Sequence, residues 1–378
     1  MVDHQKYRTS SASKYQLLQT SNLPEETRMI TPLITEIQRF SLQDGPGIRT
    51  TIFVKGCPLH CPWCHNPENI NMKREFYFHA NKCTACGKCS HNCQSSNYRH
   101  SQTMNQSEPV SNDRSECTLC LECVSSCRFG AREAVGKSID MSSIIEEAVS
   151  DRMFYANSGG GVTISGGEPL MYPAFTLELA RILNTRENIN VAIETCLSAK
   201  WDSIVPLLEC VDLFIVDIKS LDPAKYTHVI GGSLRRVLAN LERLIHSGAA
   251  VRIHLPIIPG FNDSLYDFES YAKYLGRFAG HLTGVDLLPY HSYATGKYAQ
   301  LGRRYSYLGI PDLPSRQLIP LTNALRQRGI REVTIGGMVG TISQTDTLNI
   351  DEISKPVREI LPHPASLLRR KGVIATRR

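Results

Sequence analysis

Eleven of the thirteen cysteines in this 378-residue chain fall between Cys57 and Cys127. Cys57, Cys61 and Cys64 form a C-x3-C-x2-C triplet on one short loop, Cys57-Pro58-Leu59-His60-Cys61-Pro62-Trp63-Cys64, so three thiolates can converge on a single metal centre. A [4Fe–4S] cube usually takes four thiolates. The loop supplies three, and Cys83 opens a separate pattern. One iron is then left with an open position, which marks a reactive site because a small molecule can bind there. A zinc knuckle with a distant fourth ligand is the alternative for this triplet.

The remaining cysteines of the cluster fall into two copies of the bacterial ferredoxin run C-x2-C-x2-C-x3-C: Cys83, Cys86, Cys89, Cys93 and Cys117, Cys120, Cys123, Cys127. In two-cluster ferredoxins the fourth cysteine of each run ligates the other cluster. The expected sets are therefore Cys83, Cys86, Cys89 with Cys127, and Cys117, Cys120, Cys123 with Cys93. Paired zinc sites are the alternative. Gln94 and Arg128 stand where the ferredoxin run continues with proline, which alters the turn but not the ligand count. Cys196 and Cys210 fit no ligand spacing and read as buried thiols.

Disulfides are a poor explanation for so many cysteines. The count is odd, and the N-terminus lacks the basic-then-apolar order of a signal peptide. Metal binding in a reducing cytoplasm is the expectation. No apolar run approaches the roughly 20 residues needed to span a bilayer. The net charge is +6, but seven Lys or Arg against Glu359 lie from Lys355 onward, so the preceding body is near neutral. Nucleic acid is not an expected partner.

The elements that must position these cysteines follow a strand–helix rhythm. Residues 1–32 read as a polar, partly disordered extension. The β-branched run Thr50-Thr51-Ile52-Phe53-Val54-Lys55 is a buried strand delivering the triplet. Residues 76–134 form the insert carrying the two runs. Helical spacing spans Ile139 to Tyr155, then strands are predicted at Gly161–Ile164, Val191–Ile193, Leu213–Val216, Val251–Leu255, Val285–Leu288 and Glu332–Ile335. Helices are predicted between them at Phe175–Leu183, Leu234–His246, Tyr266–Phe278 and Pro314–Arg328. Such alternation implies an α/β fold with a parallel sheet. In barrels of this kind, chemistry sits on loops leaving the C-terminal strand ends. A basic tail, 341–378, follows the body at 33–340.

The triplet followed by His65 resembles the signature loop of the radical S-adenosylmethionine (SAM) superfamily. Asp44-Gly45-Pro46-Gly47-Ile48-Arg49-Thr50 upstream and Ser165-Gly166-Gly167-Glu168-Pro169 downstream are similar to the glycyl-radical-enzyme activating enzymes, in the long form that carries a ferredoxin-type insert. The resemblance runs from about Thr35 to about Gly337. It implies an incomplete (β/α)6 radical SAM barrel with an inserted two-cluster ferredoxin-like domain, and three [4Fe–4S] clusters. The cluster on Cys57, Cys61 and Cys64 would hold SAM.

By the same resemblance, Gly166 and Gly167 contact the amino group of SAM and the backbone at Trp63 and His65 passes its adenine. Asp217 and Lys219 hold its ribose and carboxylate region, and His291 also contacts it. Glu194, ending a strand, is expected to complete a cation or SAM site. The implied reaction is reductive cleavage of SAM to methionine and a 5′-deoxyadenosyl radical, which removes hydrogen from a glycine α-carbon of a partner glycyl radical enzyme. The cofactor carries that chemistry and no side chain need act as a general base. Flavodoxin or ferredoxin is the expected electron donor. Two other readings are a radical SAM enzyme acting on another peptide or small molecule, and a ferredoxin-like electron carrier. The first places its auxiliary clusters C-terminally in its usual form, and here no cysteine follows Cys210. The second leaves the triplet unexplained.

Overall fold

The computed structural model describes residues 30–94, 114 and 116–337. Most of the expected N-terminal extension, the middle of the insert and the basic tail lie outside the described residues. Ten strands are described: β1 (Ile34–Ser41), β2 (Arg49–Val54), β3 (Glu75–Phe78), β4 (Arg132–Val135), β5 (Gly161–Gly166), β6 (Val191–Thr195), β7 (Leu213–Asp217), β8 (Val251–Ile257), β9 (Leu282–Pro289) and β10 (Val333–Ile335). Eight of them build one sheet in the order β1-β2-β5-β6-β7-β8-β9-β10. From β2 to β10 every neighbour is parallel, and β1 pairs antiparallel with β2.

The six parallel strands β2 and β5 to β9 are the expected β/α set. β10 is the further strand expected at Glu332–Ile335, and β1, at the start of the body, adds an eighth strand. Among the described residues no pairing joins β10 back to β1, so the sheet remains open. Its strands read as near-continuous apolar runs because helices cover parallel sheets. Ile52, Val54, Val162, Ile164, Val191, Ile193, Val216, Ile253, Leu255, Val285 and Leu287 are all fully buried.

The helices between strands have local causes. The expected helix over 139–155 is two, α1 (Met141–Val149) and α2 (Arg152–Ser158). The chain breaks at Ser150-Asp151, where the buried Asp151 carboxylate accepts from Arg39 Nε at 2.7 Å and Thr50 Oγ1 at 2.9 Å. Asp140 caps α1 by accepting from Ser143 N. α3 (Pro173–Arg181) runs into a wider turn over Ile182–Arg186. α4 (Leu234–His246), capped by Ser233, buries Val237, Leu241, Leu244 and Ile245 on one stripe. α5 (Leu265–Gly276), α6 (Thr295–Gln300) and α7 (Ile319–Gln327) follow, with short helical turns at Lys88–His91, Glu122–Ser125 and Pro223–Lys225 besides. Two short 3-10 turns replace a helix between β6 and β7.

The insert is rooted in a hairpin that the sequence reading did not identify. β3 pairs antiparallel with β4, Glu75 opposite Val135 and Phe78 opposite Arg132. All the ferredoxin-type cysteines follow β3 and precede β4.

Candidate functional site

The C-terminal ends of β2, β5, β6, β7 and β8 converge on one cavity of about 220 Å³. The loop after β2 contributes Cys57, Cys61 and Cys64 to its lining, and the strand ends beyond contribute Gly166, Gly167, Glu194, Asp217 and Lys219. Trp63, His65 and Tyr290 also line it. His291 does not, but its ring packs on His65 at 3.8 Å between centroids and so stands behind the wall. The three thiols are buried or half-buried. Burial pushes Cys57 and Cys61 up to about 12. Such thiols ionise when a metal takes the proton's place.

Gly166 and Gly167 have a structural role beside the SAM contact expected of them. A Cβ at Gly166, where φ is +112°, would lie 2.3 Å from the Val54 carbonyl oxygen, and one at Gly167 would lie 2.0 Å from that of Gly56. The close approach they permit is therefore to the backbone immediately before Cys57, clamping β5 against the cysteine loop. Their backbone still faces the cavity.

Glu168 of the same motif is a tie that sequence reasoning missed. Its fully buried carboxylate accepts from Leu170 N at 3.0 Å, Thr195 Oγ1 at 2.7 Å, Cys196 N at 2.7 Å and Cys196 Sγ at 2.8 Å. It locks the ends of β5 and β6 together, and gives the buried Cys196 thiol a partner. Arg49, in the upstream Gly-Pro-Gly motif, does the same from below. It donates to Thr163 Oγ1 at 2.6 Å, Val162 O at 2.7 Å and Asn190 Oδ1 at 3.1 Å. Only the turn chemistry around these residues was visible in the sequence.

The polar groups around the cavity are strongly biased. Lys219 pairs with Asp217 at 3.1 Å. Burial alone would lower the Lys219 pKa, but Asp217 and nearby thiols hold it well above the usual lysine value. Burial, then the neighbouring His291, push His65 down to about 4. His65 Nε2 and His291 Nδ1 are buried with no hydrogen-bond partner among the described residues. Orphaned nitrogens beside a cavity lined by three thiols are what a polar ligand would satisfy, so the residues present fit a cluster with SAM alongside.

The insert brings together one of the expected cysteine sets. Cys83, Cys86, Cys89 and Cys127 line a common small cavity with Phe78, Gly87, Ala131 and Arg132. Burial pushes the Cys89 and Cys123 thiols up, and Arg132, near both, opposes it. The two runs also share their backbone. Ala85 and Leu119, each two residues after the first cysteine, have φ of 54° and 59°; Gly87 and Leu121, each four after, have 72° and 62°. Left-handed alanine and leucine are uncommon and strained, and such strain gathers at functional sites.

Comparison with known proteins agrees with this geometry. The model of the radical SAM superfamily matches residues 119–272, which include β5 to β8. The chain is 51% identical over 326 residues to the benzylsuccinate synthase activating enzyme of Thauera aromatica, covering 85% of this chain and 98% of that protein. The chain belongs to the glycyl-radical-enzyme activating enzymes of the radical SAM superfamily. Other members include an isethionate sulfite-lyase activating enzyme of Oleidesulfovibrio alaskensis, 36% identical over 74% of this chain and 90% of its own. The pyruvate formate-lyase 2-activating enzyme of Escherichia coli is 33% identical over 84% and 96%. As an activating enzyme of this family, the protein works with a [4Fe–4S] cluster and SAM on a glycyl radical enzyme. None of its described helices is long and apolar enough to cross a membrane.

Proposed function

We propose that this activating enzyme serves a benzylsuccinate-synthase-type partner, holding SAM against a cluster on Cys57, Cys61 and Cys64 and carrying two further [4Fe–4S] clusters in its insert. The observation that carries the site is the gathering of those three cysteines with Gly166, Gly167, Glu194, Asp217 and Lys219 around one cavity. The partner class rests on the 51% identity to an activating enzyme of that name, against 36% and 33% for the other two relatives above. Bound together, the cluster supplies an electron and SAM supplies the radical chemistry that takes hydrogen from a glycine α-carbon.

The chain's residues bind, orient and enclose. The three thiolates would hold the cluster and leave one iron for SAM. Asp217 and Lys219 would take its ribose and carboxylate end. His65, kept neutral, presents a ring and an unpaired nitrogen, and Trp63, packed on Phe261 at 4.5 Å between centroids, closes that wall. Cys83, Cys86, Cys89 and Cys127 would hold one auxiliary cluster, and Cys93, Cys117, Cys120 and Cys123 the other. A flavodoxin or ferredoxin would supply the electrons, in the cytoplasm.

The test is anaerobic reconstitution and reduction with SAM and a benzylsuccinate synthase. A glycyl EPR doublet on that partner, with SAM cleaved, is the expected result. SAM cleavage with no doublet there, but with one on a lyase or dehydratase of another class, overturns the partner assignment.

A further inference from the structure

Beneath the cavity floor lies a chain of buried charges that the cluster and SAM assignments leave unused. His254, on β8 and 4% exposed, stands between two carboxylates from neighbouring strands. Its Nε2 is 3.2 Å from Asp286 Oδ2 on β9. Its Nδ1 is 3.4 Å from Glu194 Oε1 on β6, an ion-pair contact longer than a good hydrogen bond. Asp286 is gripped from its far side by Arg252 through two bonds, 2.6 and 2.7 Å, and by Thr334. Arg252 reaches Glu332 at 2.8 Å. Glu194 also accepts from Ser165 Oγ and lines the cavity.

Acids crowd this spot from every side. Asp217 from β7 offers an oxygen within 4.8 Å of those of Glu194 and His254. Asp44, from the loop between β1 and β2, senses both Glu194 and His254. The cations facing them are Lys219 from the loop after β7 and Arg252 from β8 itself. Glu194, Asp217 and His254 together could be taken for a metal site, but His254 is already committed to Asp286 on its second nitrogen, and that carboxylate to Arg252.

We infer that His254, clasped between Glu194 and Asp286, is a positioning residue that serves as the protein's own cation here and holds the Glu194 carboxylate at the cavity wall toward the cationic end of SAM. The placement rests on the cavity being the SAM site. Burial disfavours a charged imidazole, but Asp286 and Glu194 outweigh it and raise His254 to about 10. Glu194 stays ionised, below its usual range despite burial, because His254 faces it. Removing the imidazole leaves Glu194 opposite Asp44 and Asp217 with Lys219 as its remaining counter-charge, so it takes up a proton more readily and turns away from the ligand.

The experiment measures SAM affinity of the anaerobically reconstituted enzyme from about pH 6 to 8, with His254→Gln, Glu194→Gln and the double variant alongside. Wild type is expected to bind with little pH dependence. His254→Gln should bind about 10- to 100-fold more weakly, because the Glu194 carboxylate loses the cation that faces it, and should weaken further toward acid pH. In the Glu194→Gln background the same change should add little, since both act through one carboxylate. A His254→Lys variant, restoring a cation, should recover affinity and flatten the pH profile. Unchanged affinity in a folded His254→Gln, or additive losses in the double variant, would overturn the role of His254. Failure of wild type to bind SAM would instead remove the site reading beneath it.

Discussion

Lys55 and Glu75 form an ion pair at 2.7 Å with side chains 0% and 8% exposed. It joins the residue two before Cys57 to the first residue of β3. Arg303 takes the other Glu75 oxygen at 2.5 Å, Lys55 also donates to the Glu68 carbonyl, and Lys297 pairs with the Glu68 carboxylate at 2.5 Å. The end of the cysteine loop, the root of the insert and the segment after β9 are thus fastened at one point. Burial lowers the Lys55 pKa, with Glu75 opposing it.

Breaking that fastening by removing one partner leaves a buried charge uncompensated. Glu75→Gln is expected to destabilise the protein by about 3–5 kcal/mol, whereas Lys55→Met with Glu75→Leu should be far milder. Urea unfolding midpoints of the three proteins check this. Equal losses in the single and double variants would mean that packing, not charge, holds the joint.

Iron content separates the roles of the cysteines. Cys64→Ala should lose about four irons of about twelve and all SAM cleavage. Cys86→Ala in the insert should also lose about four irons, but keep SAM binding at the cavity some distance along the chain. Iron analysis with SAM equilibrium binding reads both. A wild-type content of about eight would remove one of the three proposed clusters.

The parallel sheet and the cysteine spacing were legible because both are local patterns. Apolar runs such as Gly161-Val162-Thr163-Ile164 mark buried strands by composition, and ligand spacing on a loop survives any tertiary arrangement. The ties that shape the site were not. Glu168 gathers four donors from two segments, and His254 meets acids 60 and 32 residues away in sequence, Glu194 and Asp286. Contacts made only after strands align leave no periodic trace. β3 was missed because Glu75-Phe76-Tyr77-Phe78 is short, and its partner lies beyond the whole insert. The helix over 139–155 was drawn too long because the reason for its break, the Arg39–Asp151 pair, is over 100 residues apart.

The raised His254 pKa makes a signed prediction for stability. A histidine near 6.5 unfolded and about 10 folded contributes stability that is fully present below about pH 6.5. That contribution is lost as pH rises through the folded value. Unfolding free energy should therefore fall between about pH 6.5 and 10, and the fall should be shallower in His254→Gln. Urea titrations across that window test it; parallel curves for the two proteins would contradict the buried imidazolium.

Gly167 offers the most direct check on how the cysteine loop is seated. Its missing side chain lets the β5 end lie against Gly56, and an added methyl would meet the Gly56 oxygen at 2.0 Å and the Asn69 oxygen at 2.6 Å. Both are backbone atoms, so neither can swing aside. Gly167→Ala is expected to cost about 2–4 kcal/mol and to displace Cys57 from its place beside Cys61 and Cys64. Gly280→Ala, where nothing lies within 4 Å, is the control and should change little. Cluster incorporation followed by absorbance, alongside unfolding midpoints, distinguishes the two substitutions. A Gly167→Ala protein that binds its full iron with unchanged stability would mean that the loop is seated by its own turns, not by the clamp from β5.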